Sequence, residues 1–351
     1  MAESSAPIAQ PSWDREQNLV NEYLRRAVDE FDSNRLAVKL MRRLSLELPG
    51  CFLTAAMELL VPAGESNALR HLTALVLRQE GSLEVLTNPQ QCSRDNAITL
   101  FKRFLQIDPS FDVRMAQRLP DRRGANWSEA LDVAHTTRAL DILDNTSHGR
   151  RLLPVVGHLV DHSSSRISAK ATLFMGRRVQ NPAWTAKQLM QPDQRVRANA
   201  VEALWGVDSP AALNILEECR MDGNHRVLGN SLLGLHLLGR REIERRVLEM
   251  ADAGKYETRS TAAWLLGRID SQECVDSLTC LLKDDHPQVR SRALRSLLEV
   301  HRAKAQLPET VAAQAASPDP TEKAIEPAAT LEQNPESIIQ LRLDGTRFNV
   351  R

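Results

Sequence analysis

At 351 residues the chain exceeds what one hydrophobic core serves, so several domains or a repeat array are expected. Apolar residues make up 42% and aromatics only 4%, which suits helices packed through Leu and Ala and argues against a sandwich of β-branched and aromatic side chains. Forty-five basic residues cancel forty-five acidic ones, so the chain lacks the net positive field on which non-specific binding to nucleic acid or anionic membrane depends.

Residues 1–14 begin MAESSAPIAQPS, without a basic start followed by an apolar run, and read as a disordered N-terminus. No stretch reaches 18 apolar residues, since Glu58 interrupts the best candidate, so a soluble, cytoplasmic protein without membrane contact is expected. The five cysteines, Cys51, Cys92, Cys219, Cys274 and Cys280, form no CxxC pair and read as reduced and mostly buried.

Residues 15–148 are helical in pattern. NLVNEYLRRAVDEF, NALRHLTALVLRQ and DNAITLFKRFLQI are separated by Pro49-Gly50, Pro62 to Gly64, Pro89, Pro109 and Pro120. They read either as degenerate helical hairpins capping the repeats that follow or as an independent helical domain.

Residues 149–304 repeat with a period of 31. Leu173, Leu204, Leu235, Leu266 and Leu297 form one column, and Ala169, Ala200, Ser231, Ala262 and Ala293 a small-residue column four positions earlier. A third column, Arg166, Arg197, Leu228, Arg259 and Arg290, completes an i, i+3, i+7 face of a first helix. A second helix follows, because Ala212, Leu216 and Cys219 align with Ile243, Val247 and Met250 and then with Cys274, Leu278 and Leu281. Asp208-Ser209-Pro210 and Asp270-Ser271 supply its start signals. Such a two-helix hairpin cannot bury its stripe alone, so neighbours must stack. The small column is where helices approach closely.

From Ala303 to Glu336 the chain holds nine Ala and five Pro, which predicts a flexible linker over about 305–336. Residues 337–351 alternate around Asp344-Gly345, the signature of a tight hairpin. Pairing Leu343 with Thr346 sets Leu341 against Phe348 and Ile339 against Val350, an apolar ladder on one side. Two strands alone are marginal in water, so the ladder is expected to cap the array, to dock on a partner, or to stay unfolded.

QPDQRVRANAVEALWG and DDHPQVRSRALRSLLE resemble the first helix of HEAT repeats, particularly the short variety of phycobilin lyases, over roughly residues 150–304. The resemblance implies an all-α solenoid of stacked two-helix repeats. Two departures stand out: the repeat around Pro182 to Met190 slips register by about one residue, and Leu228 replaces the Arg column.

Candidate chemistry is sparse. One HEAT enzyme, deoxyhypusine hydroxylase, binds iron through His-Glu dipeptides, and this sequence contains none; His158 and His162, at i and i+4, lack a third ligand. There is no GxSxG elbow and no phosphate-binding glycine fingerprint, so no cofactor or metal is expected. Trp205 and Trp264 fall near the Leu column and read as packing residues at repeat junctions. The doublets Arg122-Arg123, Arg150-Arg151, Arg177-Arg178 and Arg240-Arg241 fall at helix ends, where cations complement terminal carbonyls. The Arg column reads as a contact between adjacent repeats, with Asp193–Arg197 and Asp285–Arg290 as candidate pairs.

The resemblance implies that second helices line a concave face. Their exposed in-register positions are Asn214, Arg245 and Asp276, and Glu218, Glu249 and Cys280. Mixed signs and sizes suit a protein segment better than a phosphate backbone. The expectation is a non-catalytic protein-binding scaffold or adaptor. The alternatives are a nucleic-acid-binding solenoid using the Arg doublets and, third, a bilin-lyase-like or other HEAT enzyme.

Overall fold

The computed structural model describes residues 12–62, 64–120, 132–146 and 150–305. The expected linker and hairpin, including Ile339, Leu341, Leu343, Phe348 and Val350, lie outside them. Among the described residues there are eighteen α-helices and no strand. They fall into two compact units, divided between Ile167 and Ser168.

The N-terminal unit holds α1 (Ser12–Asp29), α2 (Arg35–Glu47), α3 (Pro49–Leu60), α4 (Asn67–Val76), α5 (Ser82–Thr87), α6 (Arg94–Ile107), α7 (Phe111–Gln117), α8 (Val133–Thr146) and the four-residue α9 (Leu153–Val156). The starts follow local chemistry. Asn34, Ser66 and Ser93 accept backbone N–H bonds from Leu36, Leu69 and Asn96, and Pro49 opens α3 where a missing N–H costs nothing. α1 packs on α3, and α6 on α8. The core is more aromatic than that of the repeats: Phe101, Phe104 and Phe111 are fully buried, with ring centroids 5.3 Å apart in each contact to Phe111. Helix lengths from 4 to 18 residues explain why no fixed period runs through this region.

The C-terminal unit alternates first and second helices. The first helices are α10 (Ser165–Val179, beginning at the unit boundary), α12 (Gln194–Glu202), α14 (His225–Leu237), α16 (Tyr256–Leu266) and α18 (Pro287–Ala305). The second helices are α11 (Pro182–Leu189), α13 (Pro210–Cys219), α15 (Ile243–Ala251) and α17 (Gln272–Leu281). From α12 to α18 the first helices start 31 residues apart, as the columns predict. First helices pack on first helices, α12 on α14, α14 on α16 and α16 on α18, and the Leu and small-residue columns are buried throughout. Close approach is tight at Gly234, where an added Cβ would lie 2.9 Å from Leu216 Cδ2 and 3.0 Å from Trp205 Cδ1.

The Arg column does two structural jobs. Arg197, Arg259 and Arg290 each donate to the two backbone carbonyls five and six residues earlier, closing the turn before their own helix: Pro192 and Gln191, Gly254 and Ala253, Asp285 and Asp284. Arg259 also reaches Asp284 at 2.6 Å in the next repeat, and Arg197 stands 3.9 Å from Asp222, both 25 residues on. Where Leu228 replaces the Arg, the position 25 residues on is Ala253, so both partners are lost together. The inter-repeat reading is correct, but the pairs expected from sequence are corrected. Asp285 pairs with Arg259 of the preceding repeat, and Asp193 caps α12 by accepting from the Arg195 N–H.

Asp284 titrates far below the usual carboxylate range, first because Arg259 hydrogen-bonds its charged form. A depressed carboxylate stabilises the fold fully above its unfolded pKa, about 4, and loses that contribution as pH falls through the folded value. Melts taken between neutral pH and pH 2 should therefore fall more steeply for the natural protein than for Arg259→Ala. Parallel slopes would contradict the pairing.

α18 runs for 19 residues because its stop signal is missing: His301-Arg302 stand where Asp208-Ser209 and Asp270-Ser271 end one helix and begin the next.

Candidate functional site: a polar groove across the first helices

A groove of about 430 Å³ crosses α12, α14, α16 and α18. Its walls are built by the same 31-residue register as the core. One row is Asn199, Asn230, Thr261 and Arg292; a second contributes Glu202 and Trp264; a third His225 and Tyr256; a fourth Arg226, Glu257 and Gln288.

Several wall residues are held from behind. The Asn199 and Asn230 amides donate to the Ala169 and Ala198 carbonyls of the preceding first helix, both at 2.8 Å, which orients their side chains repeat after repeat. Trp205 is buried beneath, donating its indole N–H to the Asn230 carbonyl at 2.8 Å and stacking 6.2 Å from Trp264. Trp264 is half-buried and carries the Arg268 guanidinium 4.5 Å over its ring. Burial under that ring pulls Arg268 down to about 10. Tyr256 stacks on His286 at 3.7 Å. The groove thus presents two fixed aromatic surfaces on one helix.

Its charges are mixed. Glu202 is taken by Arg177 at 2.8 Å, while Arg292 is half-buried. Burial first, then the neighbouring Arg295, lowers the Arg292 pKa, with Glu299 opposing and Arg226 adding to the effect. His225 is pushed down by burial and by Arg226, which favours the neutral ring. Its Nδ1 lies 2.8 Å from Thr261 Oγ1, whose own proton goes to the Glu257 carbonyl at 3.0 Å. With the Thr261 proton placed there, the Nδ1–H tautomer of His225 is the donor to the hydroxyl.

The site residues read from sequence sit elsewhere. Asn214, Glu218, Arg245, Glu249, Asp276 and Cys280 are all exposed, on α13, α15 and α17, and none lines the groove. Glu249 pairs with Arg245 and Arg246, and Asp276 accepts from Gln272. The sequence signal of the groove is a polar, chemically varied register on the first helices, whereas the exposed positions read from sequence lie on the second helices. Asn199, Asn230, Thr261 and Arg292 repeat with the same period one position before the small-residue column.

The remaining candidates are largely occupied. Arg151 serves Asp112, Arg177 serves Glu202, and Arg178 is buried, donating to the Phe174 carbonyl at 2.9 Å. Arg150, Arg240 and Arg241 are exposed, and Arg122-Arg123 lie outside the described residues. His158 Nε2 lies 2.8 Å from the Pro120 carbonyl, and His162 Nδ1 accepts the Ser164 N–H. Cys51, Cys92, Cys219 and Cys274 are buried free thiols and Cys280 an exposed one. Burial pushes Cys219 to about 11 and Cys274 to about 12. Among the described residues no group of three His, Cys, Asp or Glu is placed to hold a metal ion, and no helix is long and apolar enough to cross a membrane.

Residues 243–325 match the family model of HEAT repeats. Among solved structures, human deoxyhypusine hydroxylase in complex with glycerol is similar at 13% identity and a TM-score of 0.32, over 74% of this chain and 99% of that one. An engineered protein is similar at 12% identity and a TM-score of 0.31, over 84% and 97%. No curated protein matches the chain.

Proposed function

We propose that the C-terminal unit is a non-catalytic scaffold that holds an extended segment of a partner protein in the groove across α12, α14, α16 and α18. The observation that carries this reading is the register of the walls, which offers amide, aromatic and charged side chains at corresponding positions on successive helices. Neighbouring helix axes lie roughly 10 Å apart, so each repeat advances about three residues of an extended chain at ~3.3 Å per residue. A linear segment therefore meets one position of each row at about every third residue, an amide at Asn199 and Asn230, a hydroxyl at Thr261 and a guanidinium at Arg292. Glu202 and Glu257 in the walls weigh against a nucleic-acid backbone, which favours a basic row. The test is photocross-linking of the full chain, with a photoreactive residue at Ser260 in the groove compared with one at Glu218 on the second-helix face.

A further inference from the structure

α18 leaves open a face that its counterparts bury. Leu294 occupies the register position of Val201, Leu232 and Ala263, which are 0%, 1% and 0% exposed, yet Leu294 is 51% exposed. Leu298 stands at the position of Trp205 and is 47% exposed against 4%. In the earlier first helices the cover comes from the following repeat, whose first helix packs on this side. Past α18 no second helix begins through Ala305, because the capping signal is replaced by His301-Arg302. Stacked repeats need their terminal apolar face covered.

The sequence beyond Ala305 offers one suitable stretch. Residues 306–336 contain only Leu307, Val311, Ile325 and Leu331 as large apolar side chains, whereas the fifteen residues 337–351 contain Ile338, Ile339, Leu341, Leu343, Phe348 and Val350. Leu298 lies seven residues, or about 10 Å of helix, back from Ala305. The thirty-one intervening residues can span up to about 100 Å, so they reach it easily. Tethering also gives a local concentration on the order of millimolar. We propose that residues 337–351 cover the Leu294–Leu298 face of α18 within the same chain.

The experiment is amide hydrogen exchange on the full-length protein, natural and carrying Leu341→Asp with Phe348→Asp, substitutions that leave every described helix unaltered. Exchange along α18 is expected to quicken by at least about tenfold in the variant, while α12 and α14 keep their rates. Adding Leu298→Asp to that variant is expected to quicken α18 no further, since the contact is already gone. Equal α18 exchange in the natural and variant chains overturns the proposal. So does α18 protection that rises with protein concentration over about a hundredfold range, because a second copy would then be the cover.

Discussion

Trp205→Ala is expected to destabilise the C-terminal unit by about 4 kcal/mol, within the 3–5 kcal/mol typical of removing a buried large aromatic. The residue is 4% exposed, so truncation leaves a cavity beside Gly234. It also removes the indole donor from the Asn230 carbonyl and the ring that backs Trp264. Trp205→Phe keeps most of the volume and loses chiefly the hydrogen bond, so about 1–2 kcal/mol is expected. Urea unfolding followed by circular dichroism separates the two variants, and a loss under about 1 kcal/mol for the alanine would contradict the packing described. The functional consequence runs through Asn230, because the same side chain that fills the core fixes a groove residue from below.

Arg151→Ala should cost the N-terminal unit about 3 kcal/mol, the lower end of the range for breaking a buried ion pair, since Arg151 is itself half-exposed. Asp112 is 2% exposed and takes three hydrogen bonds from Arg151, at 2.6, 2.7 and 3.2 Å, while the same guanidinium donates to the Pro109 carbonyl at 2.6 Å. Deletion of the cation strands a buried carboxylate and a loop carbonyl together. Asp112→Asn added to Arg151→Ala removes the stranded charge, so the double variant should recover part of the loss. Denaturant melts of the three variants check this. A double variant no more stable than Arg151→Ala would show that the charge is not the cause.

The repeats were legible in the sequence because their packing is periodic. The Leu and small-residue columns recur every 31 residues, and every position in them from Ala169 to Leu297 is buried. Caps written as Asn181-Pro182 and Ser209-Pro210 set the helix starts by local hydrogen bonding, which needs no tertiary information. The N-terminal unit resisted the same treatment. Its helices vary in length and lock through particular contacts, such as the Phe101–Phe104–Phe111 cluster and the Asp112–Arg151 pair, whose partners lie 39 residues apart in the second case. Long-range pairing of that kind leaves no local pattern. The Arg column was readable as structural, but its partners were not, because a carboxylate in a turn can serve the helix before it or the one after it. The groove lay in plain register, yet its rows are polar and chemically varied, so a search keyed to hydrophobicity passed over Asn199, Asn230, Thr261 and Arg292.

The central claim is that the first-helix face, rather than the second-helix face, holds a protein segment. It is tested most directly by the photocross-linking comparison between Ser260 and Glu218 in the full chain, with nuclease treatment and salt washes in parallel. The account predicts a discrete protein adduct from Ser260 that survives nuclease and about 0.3 M salt, the condition under which phosphate contacts weaken steeply, and no adduct from Glu218. A protein adduct from Glu218 alone, or an adduct at Ser260 that nuclease removes, would contradict it.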